Sequence, residues 1–150
     1  MSDKKNNDCV RIEADASFVQ IGDDIKAGIA AVLQDNETGE AVFAVGKSIN
    51  CRDNQMAELY AILYALEEIP QNGCTVELFN DSQDAIGLIN GEITCPERYF
   101  EVAQKIRNRV RQKKLTVTFF WRPRTEQSVA DALSTLAARK AENEEIRAKI

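Results

Sequence analysis

The chain of 150 residues has no histidine, one tryptophan and three prolines. Without an imidazole, metal or acid–base chemistry falls to carboxylates and other side chains. No apolar run approaches ~18 residues, so no membrane-spanning helix is expected. The four cysteines, Cys9, Cys51, Cys74 and Cys95, include no C-x-x-C pair, which argues against a zinc site. They lie on or beside apolar segments and read as small buried hydrophobes in a reducing compartment, so a cytoplasmic location is expected. Basic charge is also in deficit: 19 Lys and Arg against 24 Asp and Glu give a net charge of −5. Proteins whose whole surface tracks nucleic acid are usually basic. Any nucleic-acid contact must therefore use a local basic patch or a metal site, and should be salt-sensitive. Residues 1–8 are polar and lack the apolar stretch of a signal peptide, so a disordered lead is expected there.

Hydrophobic content of 44% and charged content of 29% are those of a globular domain large enough for a real core, expected over residues 9–140. Residues 10–18 alternate apolar and polar, residues 25–33 are more continuously apolar, and residues 41–45 are apolar again. Turn residues Gly22-Asp23-Asp24 and Asp35 to Gly39 separate them, predicting three antiparallel strands. The period then changes to three and four through Met56, Leu59, Tyr60, Leu63 and Leu66, predicting a helix over about 55–69 closed by Pro70 and Gly73. A strand over 75–79, a short helix to Asn90 and a loop follow. Thr94 and Glu97, at capping-box spacing around Pro96, predict the start of a helix that runs to about Lys113 and is basic in its second half. A strand over 115–121 and a helix over 128–138 complete the domain. The charged tail, 141–150, has Ile146 and Ile150 four apart and is expected to continue as helix. The order β-β-β-α-β-α-α-β-α predicts a mixed α/β fold with helices covering the sheet.

Four acids stand where far-apart elements can meet. Asp15 is on the polar face of the first strand, Glu58 near the start of the first long helix, Asp81 at the end of the fourth strand and Asp131 near the start of the last helix. Each also has an ordinary explanation. A strand's polar face is normally solvated, helix starts favour acids through the dipole, and Asn80, Asp81 and Ser82 are all good helix caps. Those explanations leave open why Glu58 and Asp131 sit among Ala57, Ile62, Ala130 and Ala132, where an acid on the rim of a buried face needs compensation. Four carboxylates suit two divalent cations, Mg²⁺ in particular, which takes oxygen ligands and completes its shell with water and phosphate oxygens.

The pieces Asp15-Ala16-Ser17-Phe18, Asn54-Gln55-Met56-Ala57-Glu58-Leu59 and Asn80-Asp81-Ser82-Gln83, in this order and on these elements, resemble type 1 ribonuclease H. Ile89-Asn90-Gly91-Glu92 and the run Trp121 to Leu133 resemble its reverse-transcriptase-like branch. The resemblance implies the ribonuclease H-like five-stranded mixed sheet, three strands antiparallel and two parallel, flanked by helices. It implies a monomer that hydrolyses the RNA strand of an RNA/DNA hybrid with two Mg²⁺ ions, for which Mn²⁺ substitutes. Asp15, Glu58, Asp81 and Asp131 match the catalytic, metal-binding acids, and Glu58 also the acid near the RNA 2′-hydroxyl. Asn54 and Gln55 match residues that reach the hybrid's minor groove, where amides both donate and accept. Ser82 would help shape the site.

The chain departs from the family pattern in places. Ala16 replaces the usual glycine, and Asp53 stands where many members place a threonine in a phosphate pocket, with Arg52 as a substitute. The basic insertion before Pro96 is missing, and so is the mobile histidine before the last helix, whose place Arg124 would take. Lys105 to Lys114, Arg122 and Arg124 are then the expected phosphate-contacting surface. These departures favour an alternative, a non-catalytic binding or protein-interaction domain on the same fold; the four acids favour the nuclease. A proofreading exonuclease would want Asp-x-Glu on the first strand, and this chain has the reverse, Glu13-x-Asp15.

Overall fold

The computed structural model describes residues 9–150; the lead expected over residues 1–8 lies outside the described residues. Among the described residues the chain forms six strands in one sheet and four α-helices, with two short 3₁₀ turns. The strands are β1 (Cys9–Ile21), β2 (Asp24–Gln34), β3 (Ala41–Ile49), β4 (Thr75–Asn80), β5 (Thr116–Trp121) and β6 (Glu145–Lys149). The helices are α1 (Asn54–Glu67), α2 (Gln83–Ile89), α3 (Phe100–Gln112) and α4 (Ser128–Ala138). The sheet order is β5-β4-β1-β2-β3-β6. The first three strands form the expected antiparallel meander, and β4 and β5 add in parallel beside β1.

Helix α1 packs on β1 and β2 with α3 behind it, while α4 covers β1, β2 and β3. Strand β2 is therefore buried on both faces, which is why its sequence reads as a continuous apolar run rather than an alternation. The main core gathers Ile12, Ala14, Ile29 and Val45 of the sheet with Leu59, Ile62 and Leu66 of α1. On the opposite face Val32 and Ala44 meet Ala130 of α4.

Two expectations are corrected. The tail is a sixth strand, not a helix. After α4 the chain reverses through Asn143 in the left-handed region, φ 67°, and β6 pairs antiparallel with β3, so the sheet has six strands rather than five. The open edge of β3 supplies backbone partners that an isolated helical turn of Ile146 and Ile150 lacks. Arg147 bonds Glu68 through both terminal nitrogens at 3.1 and 2.9 Å, and the Tyr64 hydroxyl donates to Glu145 at 2.9 Å. The helix expected from Pro96 begins instead as a 3₁₀ turn, Glu97–Tyr99, and neither it nor α3 has a side-chain cap.

Candidate active site

Strand β1 crosses the middle of the sheet, and parallel pairing with β4 brings the end of β4 alongside it. Asp15 on β1 and Asp81 just after β4 therefore meet at the C-terminal end of β4, between interior strands of the sheet. Helix α1 packs across β1 and turns Glu58, in its second turn, toward the same point. Ligand oxygens of Asp15, Glu58 and Asp81 all lie within 4.8 Å of one another. The three line or adjoin a cleft of about 560 Å³ that also receives Asn54, Gln55, Ser82, Arg124 and Asp131. Asp131, in the first turn of α4, stands outside the tight group. Its Oδ1 is 3.7 Å from Arg124 Nε and 3.5 Å from the Ser17 hydroxyl.

Local chemistry explains why Asp81 faces the cleft. The cap of α2 is Ser82, whose hydroxyl accepts from Ala85 N at 3.1 Å, so Asp81 is not spent on the helix. Asn80, fully buried, accepts from Ser82 N at 2.8 Å and donates to Ala14 O and Glu58 Oε1, each at 3.0 Å. One amide thus ties β4 to β1 and sets the rotamer of Glu58. Gln127 holds Ala14 O from the other side at 3.3 Å, and the Trp121 indole donates to Asp81 O at 3.1 Å. The sequence offers Asn80 only as a helix cap and motif residue and gives Gln127 no role of its own; the signal for their bridging role is an amide at the end of an apolar strand and another just before an apolar helix.

The electrostatics are those of anions gathered with too little positive charge. Burial, and then the Asp81 carboxylate, push Glu58 up to about 8, against weaker lowering by Asn80 and Arg124. Burial and the Glu58 and Asp81 charges push Asp15 well above the usual carboxylate range. Asp15 Oδ1 is buried and accepts no hydrogen bond among the described residues. The nearest protein cation is Arg124, whose Nε donates to Asp81 Oδ2 at 2.8 Å while its side chain stays 58% exposed. Crowded, desolvated carboxylates with an orphaned oxygen are what a divalent cation neutralises, and oxygen donors suit Mg²⁺ or Mn²⁺.

The other expected contacts divide. Asn54 and Gln55 open α1 at the cleft, as expected. Asp53 caps α1 by accepting from Met56 N at 3.0 Å, and the Tyr99 hydroxyl (2.8 Å) and Arg98 Nε (3.3 Å) fill its remaining lone pairs. Its burial is outweighed by these bonds, which hold the carboxyl below its ordinary value. The Asp53 carboxylate is thus engaged within the fold by the helix start, Tyr99 and Arg98. Lys113 and Arg122 leave the expected phosphate surface. Lys113 Nζ donates to Leu66 O at 3.0 Å and Ile69 O at 2.6 Å, closing the end of α1 farthest from Glu58. Arg122 Nη2 lies 2.5 Å from the buried Glu13 carboxylate and its guanidinium covers the Phe79 ring.

Comparison with known proteins agrees with this geometry. A sequence model of the family described as reverse transcriptase-like matches residues 13–137. Among curated proteins none matches the chain. The fold is shared with ribonuclease H1 of the archaeon Halobacterium salinarum NRC-1, at 24% identity and a TM-score of 0.72, covering 87% of this chain and 99% of that one. It is shared with LC11 ribonuclease H1, solved in complex with an RNA/DNA hybrid, at 24% identity and a TM-score of 0.75, covering 86% and 96%. The N-terminal ribonuclease H domain of a Mycobacterium tuberculosis protein is similar at 17% identity and a TM-score of 0.69, covering 86% and 94%. With its acids on the strands and helices of a ribonuclease H fold and most of its length matched, the chain belongs to the reverse transcriptase-like family.

Proposed function

We propose that the protein is a metal-dependent endoribonuclease that cleaves the RNA strand of RNA/DNA hybrids. The observation that carries this is the meeting of Asp15, Glu58 and Asp81, residues far apart in sequence, with ligand oxygens within 4.8 Å of one another and one of them buried without a donor. These three residues, with Asp131 at the side of the cleft, would hold two divalent cations, Mg²⁺ or Mn²⁺. Cations held there supply Lewis-acid activation of water and neutralise charge at the scissile phosphate.

The chain's own residues do the rest. Asn54 and Gln55 present amides to the minor groove of the hybrid from the start of α1. Their donors and acceptors match base edges and 2′-hydroxyls. Glu58, anchored by Asn80 at 3.0 Å, is held beside the other acids and is the one placed to meet the RNA 2′-hydroxyl. Ser82 braces the loop that carries Asp81. Arg124, bonded to Asp81 yet half in solvent, can leave the carboxylate for a phosphate oxygen as substrate and cation arrive.

The test is cleavage of an end-labelled hybrid in Mg²⁺, Mn²⁺ or EDTA, with RNA and DNA duplexes as controls. The expected result is internal cleavage of the RNA strand only, abolished by EDTA and lowered at least ~100-fold by Asp81→Asn. One observation favours a second reading, a hybrid-binding domain without turnover: Asp53 and Asp81 already hold arginine partners. Hybrid binding without cleavage in any metal establishes that reading instead.

A further inference from the structure

Helix α4 touches the acids through hydroxyls, and that contact is built into the fold. Strand residue Gly28 lies directly opposite Ser17 in the β1–β2 register. A side chain at Gly28 would overlap the Ser134 carbonyl and meet Ala138 N at 2.5 Å, so the backbone of α4 rests on β2 where only glycine admits it. This seat brings the fully buried Ser134 hydroxyl to 3.1 Å from Asp15 Oδ2 and 2.7 Å from the Ser17 hydroxyl. Thr135 Oγ1 lies 2.9 Å from Asp131 O and 3.2 Å from Ser17 Oγ.

We propose that Ser134 is a positioning residue for Asp15: its hydroxyl holds Oδ2 and leaves Oδ1 as the oxygen offered to a cation. The inference rests on the metal-dependent reading above. A serine hydroxyl has one proton and two lone pairs. With Asp15 ionised, that proton goes to the carboxylate, the strongest acceptor in reach. Ser17 then donates to Ser134, and Thr135 satisfies the Asp131 carbonyl. The hydroxyls of Ser17, Ser134 and Thr135 are then all used, and Asp15 Oδ1 is left without a donor among the described residues. The ordinary alternative is a helical serine bonding back to the carbonyl three residues earlier, and Asp131 O is 3.0 Å away. The alternative predicts a loss of stability when the hydroxyl is removed, and nothing else. The positioning role predicts weaker cation binding, because hydrogen bonds to a ligating group typically contribute ~10- to 100-fold in metal affinity.

The experiment titrates Mn²⁺ into the full chain by calorimetry, with fluorescence of the single tryptophan, bonded to Asp81 O, as a second readout. Wild type, Ser134→Ala, Ser134→Cys and the control Ser48→Ala are compared. Ser48 is also a buried serine, with no partner for its hydroxyl and no contact with the acids. Ser134→Ala should raise the dissociation constant about 10-fold while the chain stays folded, and Ser48→Ala should leave it unchanged. Ser134→Cys keeps the volume with a weak donor, so it should show the same loss if the alanine variant does not fold. A folded Ser134 variant that binds Mn²⁺ within about twofold of wild type overturns the inference and leaves the nuclease reading standing. A wild-type chain that binds no Mn²⁺ overturns both.

Discussion

Without a cation the protein should lose stability as pH rises through neutrality. Glu58 carries the effect. Its carboxyl is 9% exposed and is raised from 4.5 to about 8 by burial and then by the Asp81 charge. A carboxyl raised on folding binds its proton more tightly in the folded chain than in the unfolded one. Stability is then greatest below the unfolded value and falls as pH climbs toward the folded one. Each pH unit in that interval is worth about 1.4 kcal/mol, so between pH 5.5 and 8 Glu58 alone sets a ceiling of about 3 kcal/mol. Asp15, raised by burial and the Glu58 and Asp81 charges, adds in the same direction. Asp53 and Glu145 are held low, so what they contribute is present above about pH 4 and is lost only in acid. Urea unfolding in EDTA at pH 5.5, 6.5, 7.5 and 8.5 measures the slope. Millimolar Mg²⁺ should flatten it, because a cation that binds the ionised folded form stabilises it by mass action. Glu58→Gln should remove the Glu58 share of the slope and lessen that of Asp15, which burial still raises but the Glu58 charge no longer does. A flat profile in EDTA, or an unchanged slope in Glu58→Gln, refutes the reasoning.

Two further outcomes follow from the same contacts. Asp81→Asn should raise the stability of the metal-free chain at pH 8 by about 1 kcal/mol or more while abolishing cleavage. It removes a charge that, after burial, raises both Glu58 and Asp15, and the Arg124 contact it weakens is made by an arginine side chain that is 58% exposed, although the Asp81 side chain is only 6% exposed; thermal melts at pH 8 in EDTA check this. Lys113→Glu should cost about 1–3 kcal/mol, because it strips the ammonium from the carbonyls of Leu66 and Ile69. The salt slope of hybrid binding should not change; a flattened slope would return Lys113 to the nucleic-acid surface.

Much of the fold was legible because periodicity marks burial. The unbroken apolar run of β2 and the three-and-four spacing of α1 report which faces are covered, whereas the alternation of β1 suggests one solvated face and the structure buries Ile12 to Ser17 on both, between α1 and α4. The tail was misread because Ile146 and Ile150 at helical spacing say nothing of a vacant strand edge 100 residues earlier in the chain. Asp81 and, near helix starts, Glu58 and Asp131 were found through their place at element ends, Asp15 on a strand's polar positions, and all four through their resemblance to a family. Their ranking was not legible: Asp131 stands apart from the tight group, on a helix whose backbone rests against Gly28. Lys113 and Arg122 looked like free basic charge, since a sequence does not show carbonyls of α1 or a buried Glu13 waiting for them. Asn80, Ser134 and Gln127 act through single hydrogen bonds to distant residues, and such bonds leave no periodic trace.

The central claim is that three distant carboxylates form one cation site. Anomalous diffraction from crystals grown with Mn²⁺ tests it most directly. The account predicts a peak bounded by Asp15, Glu58 and Asp81, which Asp81→Asn weakens or removes. Manganese bound only elsewhere on the protein, with the three acids still facing one another, would contradict it.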